Sequence, residues 1–394
     1  MRTFTFDMYQ TLMIAVLALL LGRLIRKKFP VFKKFCIPAP VIGGLIVSAI
    51  TCVFYATGTL TVTFDDSFRE ICMIFFFTSV GFQANLKALR AGGKGIVILL
   101  ILLVVLITSQ NLIAVGLAKP LGISPLTAFC TGSIPMIGGH GTAGAFGPVL
   151  EDFGVTGAST ICTAAATFGL IVGSLIGGPL ADLLIQKRDL VKTAVAVQES
   201  GTEEKSVKKL AGGYAGAVFI MVIAVGLGTI VTMLLRMTGL TFPVYIGAMI
   251  IAAVIRNIGE YTGKIPLFTD KVQDIGSIML SLFLGVAMIT LRIWELASLA
   301  LPMVVLLLAQ TGWMIIFAGV IVFRAMGKNY DAAVISAGVC GFGMGATPNA
   351  MANMQAVTAR YVPSVKAFLL IPIVGSLFSD FLNSIIITLF INLL

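Results

Sequence analysis

Charged residues are scarce in this sequence. Asp, Glu, Lys and Arg together make up 11% of its 394 residues, whereas hydrophobic residues make up 58% and the mean hydropathy is +1.05. Because soluble domains carry about 25% charged residues, this composition excludes an ordinary soluble protein. It indicates a chain that passes repeatedly through a lipid bilayer.

A continuous basic surface is also lacking. The formal net charge is +10, but the lysines and arginines occur in short clusters between apolar runs. A nucleic-acid-binding surface needs a basic face on a soluble fold. We therefore expect the bilayer, and not a nucleic acid, as the large partner of this chain.

Signatures of catalysis and of tightly bound metals are missing as well. His140 is the only histidine, and the sequence contains no His-Glu-x-x-His, no Walker loop and no Gly-x-Ser-x-Gly. The six cysteines are scattered and form no Cys-x-x-Cys, so no disulfide framework is expected. We expect no organic cofactor. An intramembrane enzyme stays as a remote alternative, because it needs a catalytic pair.

The long apolar runs predict about ten membrane spans, each near the ~20 residues that a bilayer requires. They cover residues 8–25, 40–57, 68–83, 95–118, 158–185, 211–236, 242–257, 274–291, 298–323 and 366–394. Two glycine-rich segments, 126–148 and 331–357, are left over. The sequence therefore predicts an all-α polytopic membrane protein with two unusual segments.

The distribution of basic residues predicts the orientation of the chain. If the N-terminus lies outside and each glycine-rich segment returns to its own side, most of the 27 basic residues fall in inner loops. The positive-inside rule requires such an asymmetry. We therefore expect both termini outside and the polar linker 186–210 in the cytoplasm.

An internal repeat divides the chain into residues 1–200 and 201–394. Ile-Val-Gly-Ser-Leu occurs at 171–175 and again at 373–377, and the cluster from Gly132 to Thr142 is echoed from Gly338 to Thr347. Each half contains five predicted spans, an odd number, so the halves are expected to be inverted relative to each other. Inverted repeats with interrupted helices are typical of secondary transporters whose site lies near the membrane midplane.

The second glycine-rich segment is not expected to form an ordinary membrane helix. Glycine recurs at Gly338, Gly341, Gly343 and Gly345, and Pro348 follows; each glycine weakens a helix by about 1 kcal/mol relative to alanine. Broken backbone at membrane depth is tolerated where protein buries it or where it lines a cavity. Its free N–H and C=O groups suit an anionic solute and a small cation. We interpret both segments as re-entrant hairpins, the alternative being a kinked helix with small residues at its contacts.

The first glycine-rich segment offers backbone and hydroxyl groups to a ligand. Gly138, Gly139 and Gly141 allow close approach to the main chain, and Ser133 and Thr142 add hydroxyls. These groups are hydrogen-bonding partners for a small polar solute.

Three of the nitrogen-bearing side chains in the glycine-rich segments are candidates for the site. His140 is suited to donate a hydrogen bond to a carboxylate or to respond to protons; the alternative is a structural role in fixing the hairpin. Asn349 and Asn353 are four residues apart and therefore share a helix face.

Asp380 lies near the middle of the last predicted span. A carboxylate at membrane depth is costly and indicates function, so we expect Asp380 to bind sodium or a substrate ammonium group. The alternative is a structural pair with a hydroxyl or amide. Asn383 lies on the same face, and Thr163 and Thr167 share a face of the fifth span, where they are candidates for binding an ion.

Several long motifs, in order along the whole chain, resemble the bacterial sodium/glutamate symporter family. They are Ile37-Pro-x-Pro-Val-x-Gly-Gly44, Gly138-Gly-His-Gly-Thr142, Trp294-Glu-Leu-Ala-Ser-Leu-Ala-Leu-Pro302, Met326-Gly-Lys-Asn-Tyr-Asp-Ala-Ala333 and Gly341-Phe-Gly-Met-Gly-Ala-Thr-Pro-Asn-Ala-Met-Ala-Asn-Met-Gln355. The resemblance implies a sodium-coupled L-glutamate carrier of the bacterial inner membrane. The related 2-hydroxycarboxylate carriers suggest a homodimer whose transport domain slides against a fixed scaffold, an elevator mechanism.

The predicted site combines the residues above with the hairpin-tip residues that the resemblance implies. For the substrate they are Ser133, Gly138, Gly139, His140, Gly141, Thr142, Gly343, Gly345, Thr347, Asn349 and Asp380. For sodium they are Asn353, Asp380, Asn383, Thr163 and Thr167. A sodium-coupled carrier of citrate or malate is the alternative, although the sequence has no arginine deep in a predicted span to bind such an anion.

Overall fold

A computed structural model describes residues 2–34, 37–86, 93–190, 213–237, 243, 245–294 and 300–394. Most of the predicted linker 186–210, and with it the junction of the two predicted halves, lies outside the described residues. The elements in chain order are β1 (Arg2–Phe6), α1 (Met8–Lys28), α2 (Pro30–Lys34), α3 (Ala39–Ala56), β2 (Leu60–Phe64), α4 (Ser67–Gln83), α5 (Gly93–Ala118), α6 (Pro125–Phe129), α7 (Ser133–Met136), α8 (Gly139–Asp152), α9 (Ala158–Arg188), α10 (Tyr214–Arg236), α11 (Tyr245–Thr262), α12 (Thr269–Ile289), α13 (Ala300–Ile316), a π-helical stretch (Phe317–Val322), α14 (Phe323–Ala325), α15 (Tyr330–Gly343), α16 (Thr347–Arg360), α17 (Val365–Pro372), a second π-helical stretch (Ile373–Phe378) and α18 (Ser379–Leu393).

The helices confirm a multi-pass membrane protein. Among the described residues, seven helices are long and apolar enough to cross a bilayer, and the bent pair of the last span makes an eighth. Each of the ten predicted apolar segments contains a helix. Two of these ten helices, α4 and α11, are not in that set of eight, and they have 17 and 18 residues. Helix α4 packs against both α11 and α12.

One small sheet lies among the helices of the described residues. β1 pairs in parallel with β2, from Arg2 opposite Leu60 to Phe6 opposite Phe64. Threonine recurs at alternate positions in both strands, a pattern typical of extended chain, and the rings of Phe6 and Phe64 stack at 5.4 Å between centroids. The all-α prediction therefore needs this one correction, in polar stretches outside the apolar runs.

Six helices pack into a scaffold bundle, defined here as α1, α3, α4, α10, α11 and α12. Glycine allows its helices to approach closely, as is common in membrane interiors. A Cβ atom on Gly43 of α3 would lie 1.7 Å from Ala18 O of α1, and one on Gly247 of α11 would lie 2.0 Å from Gly228 O of α10. The α1–α3 and α10–α11 pairs are thus joined in the same way.

Helices α5–α9 and α13–α18 form a hairpin bundle around α9, which packs against α8, α15 and α16, whereas the short helix α2 packs against α1. This bundle meets the scaffold bundle through α8, which packs against α12, and through the last span, which packs against α4 and α11. A Cβ on Gly144 would lie 2.7 Å from the Phe283 ring of α12, and Phe146 meets Tyr245 of α11 edge-on at 5.9 Å between centroids. The contact of α8 with the scaffold bundle is largely aromatic and apolar.

Candidate functional site

The second glycine-rich segment is an antiparallel helical hairpin made of α15 and α16, called the C-terminal hairpin below. A Cβ on Gly341 would lie 2.3 Å from Ala350 N, and Asn353 Nδ2 donates to Ala337 O at 3.2 Å. The sequence separation between paired residues increases with distance from the tip at 344–346. The two helices therefore run in opposite directions. A kinked continuous helix, the alternative considered from the sequence, does not fit these contacts.

Local sequence explains where this hairpin begins and turns. Asn329 caps α15, its side chain accepting from Ala332 N at 3.0 Å. Pro348 lies in the first turn of α16, where no helical partner is needed for its missing N–H. The residue before α16, Ala346, offers no side-chain cap. The first N–H groups of α16 therefore lack the usual capping side chain.

The first glycine-rich segment, α6 to α8, is broken twice and is called the N-terminal broken segment. α6 runs back along α5: Ala128 packs near Ala118, and Ser133 N donates to Asn111 Oδ1 at 2.8 Å. Asn111 is seven residues before Ala118, so this stretch returns about 10 Å along α5. The chain then breaks again and continues as α8.

Helix α8 runs antiparallel to α9. His140 Nε2 lies 2.9 Å from Thr167 Oγ1, and at the other end of α8 Glu151 Oε1 accepts from Ser159 N at 3.0 Å. His140 is 4% exposed, so the ring is held inside the hairpin bundle. Gly138, immediately before α8, offers no side-chain cap.

The two broken segments reach α9 from its opposite ends. The N-terminal broken segment finishes beside the first turn of α9, as the Glu151–Ser159 contact indicates. The C-terminal hairpin finishes near the other end, where Arg360 Nη1 lies 3.1 Å from Asp182 Oδ2 and Tyr361 O–H also donates to Asp182.

The tips meet between these ends. Gly139 has a left-handed backbone, with φ of 56°, and a Cβ there would lie 2.8 Å from Gly345 O of the opposite tip. Thr142 covers Gly138, where a Cβ would lie 1.9 Å from Thr142 Oγ1. Predicted site residues from both segments are therefore neighbours in space.

Two asparagine side chains anchor the C-terminal hairpin to α9. Asn349 Nδ2 donates to Leu170 O of α9 at 2.9 Å, and Asn353 Nδ2 donates to Gly173 O at 2.8 Å. Both asparagines therefore lie on the same face of α16, as their spacing predicts.

Ser133 is anchored from two sides. In addition to its bond with Asn111, its main-chain oxygen accepts from Asn383 Nδ2 of α18 at 3.0 Å. Asn383 thus links the last span to the break between α6 and α7.

Asp380 lies in the first turn of α18, directly after the second π-helical stretch. Five residues earlier, a Cβ on Gly375 would lie 3.3 Å from Thr347 Oγ1 at the C-terminal hairpin. Three residues later, Asn383 contacts Ser133 of the N-terminal broken segment. Asp380 makes no hydrogen bond or ion pair with any other described residue.

The predicted sodium residues have different hydrogen-bond partners. Thr167 Oγ1 donates to Thr163 O at 3.0 Å and also contacts His140, whereas Asn353 and Asn383 bind main-chain oxygens of α9 and α7. The structure brings Thr163 and Thr167 together on α9. No hydrogen bond joins those two to Asp380 in the part of the chain that the structure describes.

The predicted substrate and sodium sets did not include two glutamines that join the C-terminal hairpin to its neighbours. Gln110 Nε2 of α5 donates to Gly343 O at the C-terminal hairpin, and Gln310 Nε2 of α13 donates to Gln110 O, each at 2.8 Å. Both side chains are fully buried. The sequence feature that could have identified them is a glutamine within each of two apolar runs, at positions 200 residues apart.

The arrangement brings together the starts of α8 and α16, neither of which has a side-chain cap, and places Asp380 on the span that contacts both segments. Helix N-termini attract anions because their unpaired N–H groups and aligned peptide dipoles point outward. Such a site suits a small solute that carries both negative and positive groups.

Comparison with known proteins gives a consistent result. The family described as "Sodium/glutamate symporter" matches residues 4–363 of the chain. The chain is 42% identical to the sodium/glutamate symporter of Escherichia coli K12, over 99% of this chain and 98% of that protein. It is 38% identical to the sodium/glutamate symporter of Haemophilus influenzae, over 97% and 96%.

Proposed function

The chain belongs to the sodium/glutamate symporter family, and from this membership we propose that it imports L-glutamate together with sodium ions across the bacterial inner membrane. Its relatives are named as symporters, so transport and not enzyme catalysis is its activity. The observation that carries the proposal beyond family membership is the meeting of the two tips, Gly139 against Gly345. Main-chain groups of both segments lie close together there.

We further propose an inverted-repeat architecture with ten spans. The N-terminal broken segment enters from the outside and the C-terminal hairpin enters from the cytoplasm. Support comes from their association with opposite ends of α9, a helix of 31 residues and therefore about 46 Å long. Both termini lie outside in this arrangement, and the linker 186–210 lies in the cytoplasm.

The chemistry of glutamate fits the groups at the tips. Its two carboxylates would lie near the starts of α8 and α16, where no side chain competes for the first N–H groups. The hydroxyls of Ser133, Thr142 and Thr347 complete the polar lining. The ammonium group would bind Asp380, whose carboxylate has no partner among the described residues.

Sodium would drive accumulation through coupled binding. If the ion and glutamate each bind better when the other is present, the sodium gradient supplies the work of uptake, and the coupling is reciprocal. The C-terminal end of α15 and the main-chain oxygens at the tip suit a small cation.

A thermal-shift experiment separates glutamate from the alternative substrates citrate and malate. We expect L-glutamate to raise the melting temperature of the purified protein more in sodium than in choline, because ligand and ion both bind the folded state. Citrate and malate are expected to give no sodium-dependent shift, since they have no ammonium group for Asp380. A sodium-dependent shift with citrate and none with glutamate would reverse the assignment.

Transport by an elevator motion is the proposed mechanism, with the hairpin bundle sliding against a scaffold bundle that forms a homodimer. The aromatic contact between α8 and α12 supports a surface that can slide, because it contains few specific polar bonds. Access to the site would then alternate between the two sides of the membrane.

Cross-linking tests this motion in a variant without the native cysteines. Joining α8 to α12 through Gly144→Cys and Phe283→Cys with a short bifunctional reagent is expected to stop uptake, and reduction of a cleavable reagent is expected to restore it. The control joins α10 to α12, within the scaffold bundle, through Tyr214→Cys and Asp274→Cys, which replace two exposed side chains that are hydrogen-bonded to each other at 2.9 Å. Full uptake with α8 tethered to α12 would exclude the sliding motion.

A further inference from the structure

We propose that one coupling sodium ion binds at the tip of the C-terminal hairpin, through the side-chain oxygens of Gln110 and Asn349. This inference rests on the proposed function, since it names the ligands of the ion that the symporter couples to glutamate. It departs from the predicted site, which included Gln110 in neither the substrate set nor the sodium set and assigned Asn349 to the substrate.

The hydrogen bonds of these two amides leave one end of each unused. Gln110 Nε2 donates to Gly343 O at 2.8 Å and Asn349 Nδ2 donates to Leu170 O at 2.9 Å. Both side chains are 0% exposed. Gln110 Oε1 and Asn349 Oδ1 are buried, and neither has a hydrogen-bond partner among the described residues.

The orientation of the amides follows from these bonds. Exchanging nitrogen and oxygen in either amide would place its oxygen against a main-chain carbonyl oxygen, with no hydrogen between them. Each oxygen is therefore held in its position by the partner of its nitrogen. Buried polar atoms in folded proteins are almost always satisfied, so a pair of unpaired oxygens indicates something that they accept from or coordinate.

Both amide groups contact the same turn of the chain. Gln110 is bonded to Gly343, and Asn349 Nδ2 lies 2.8 Å from the position that a Cβ on Gly345 would occupy. The turn between these glycines ends α15, and a helix C-terminus carries partial negative charge. Two neutral oxygens at such an end suit a hard cation and do not suit a carboxylate.

Gln310 supports this arrangement from the second half of the chain. Its Nε2 donates to the main-chain oxygen of Gln110 at 2.8 Å, and its own Oε1 is likewise buried without a partner among the described residues. We assign Gln310 as a positioning residue for the α5 side of the site. Asn353, by contrast, has no buried unpaired oxygen of this kind.

The protein contains a reporter beside the site. Trp313 Nε1 donates to Ser109 Oγ at 2.8 Å, and Ser109 directly precedes Gln110 in the chain. Only two tryptophans occur in the sequence, so the replacement Trp294→Phe leaves Trp313 as the single tryptophan. Its fluorescence can follow sodium binding without any substrate present.

The experiment titrates Trp294→Phe protein with sodium chloride in the absence of glutamate, with choline chloride to keep ionic strength constant. A saturable change is expected. Gln110→Met and Asn349→Ser, in the same background, are each expected to raise the half-saturating sodium concentration at least about tenfold, equivalent to ~1.4 kcal/mol. Ser336→Ala, which changes a buried hydroxyl bonded within α15, is the matched control and is expected to leave it unchanged.

Melting curves in choline show first that each variant is folded, and the sodium dependence of glutamate uptake provides a second readout. If Gln110→Met and Asn349→Ser keep the wild-type sodium dependence in both measurements, the site is wrong although sodium-coupled uptake stands. If wild-type uptake is equal in sodium and choline, the proposed function itself fails. The two failures are therefore distinguishable.

Discussion

Replacement of Gly139 by valine is expected to reduce glutamate uptake by about a hundredfold or more. The left-handed backbone at this position costs a residue with a side chain about 1–2 kcal/mol. In addition, the new Cβ would lie 2.8 Å from Gly345 O of the opposite tip, so one segment must move away from the other. A displacement of about 1 Å in a site that positions its ligand can alone cost about a hundredfold in rate.

The control for Gly139→Val is the same substitution at Gly122. Gly122 also has a left-handed backbone, with φ of 67°, but no atom lies within 4 Å of a Cβ placed there. Gly122→Val therefore carries the backbone strain without the collision and is expected to keep uptake within about twofold of wild type, once corrected for the amount of folded protein. Equal effects of the two substitutions would show that contact between the tips does not matter for transport.

Replacement of Asp380 by asparagine is expected to have the second large effect. The substitution keeps the size of the side chain and removes its charge, so an ammonium group bound there loses its anionic partner. Truncating one side of a buried charged pair costs about 2–5 kcal/mol, which corresponds to a loss of apparent glutamate affinity between about thirtyfold and a few thousandfold. The measurement is glutamate uptake as a function of its concentration.

Glutarate, which is glutamate without the ammonium group, identifies the cause of that loss. Wild-type protein is expected to prefer glutamate strongly over glutarate as a competitor, and Asp380→Asn is expected to lose this preference. Asp274→Asn is the control, because Asp274 forms a half-exposed ion pair with Lys271 at 3.6 Å and such pairs contribute little. An unchanged preference in Asp380→Asn would remove Asp380 from the ammonium site.

Local sequence was sufficient for the membrane class and for the positions of the helix breaks. Apolar runs specify helices in a bilayer because no water is available to satisfy exposed main-chain groups, and each predicted run does contain a helix. Clustered glycines mark the turn near Gly343 and the break before Gly139 for a similar local reason. The shared face of Asn349 and Asn353 follows from helical periodicity alone.

Contacts between distant segments were not accessible in the same way. The pairing of β1 with β2 depends on strands that are more than fifty residues apart and individually too short to be stable. The bond from Gln310 to Gln110 depends on how α13 packs against α5, which no local pattern specifies. The division into two bundles likewise depends on which helices pack together. The inverted orientation of the two halves stays a prediction from their odd number of predicted spans.

Uptake of labelled L-glutamate into proteoliposomes tests the central claim most directly. Vesicles containing the purified wild-type protein are loaded without sodium and diluted into buffer with either sodium or choline. The account predicts concentrative uptake only with an inward sodium gradient, and loss of the accumulated label when an ionophore collapses that gradient. Equal accumulation in sodium and in choline, or sodium-driven uptake of citrate but not of glutamate, would contradict it.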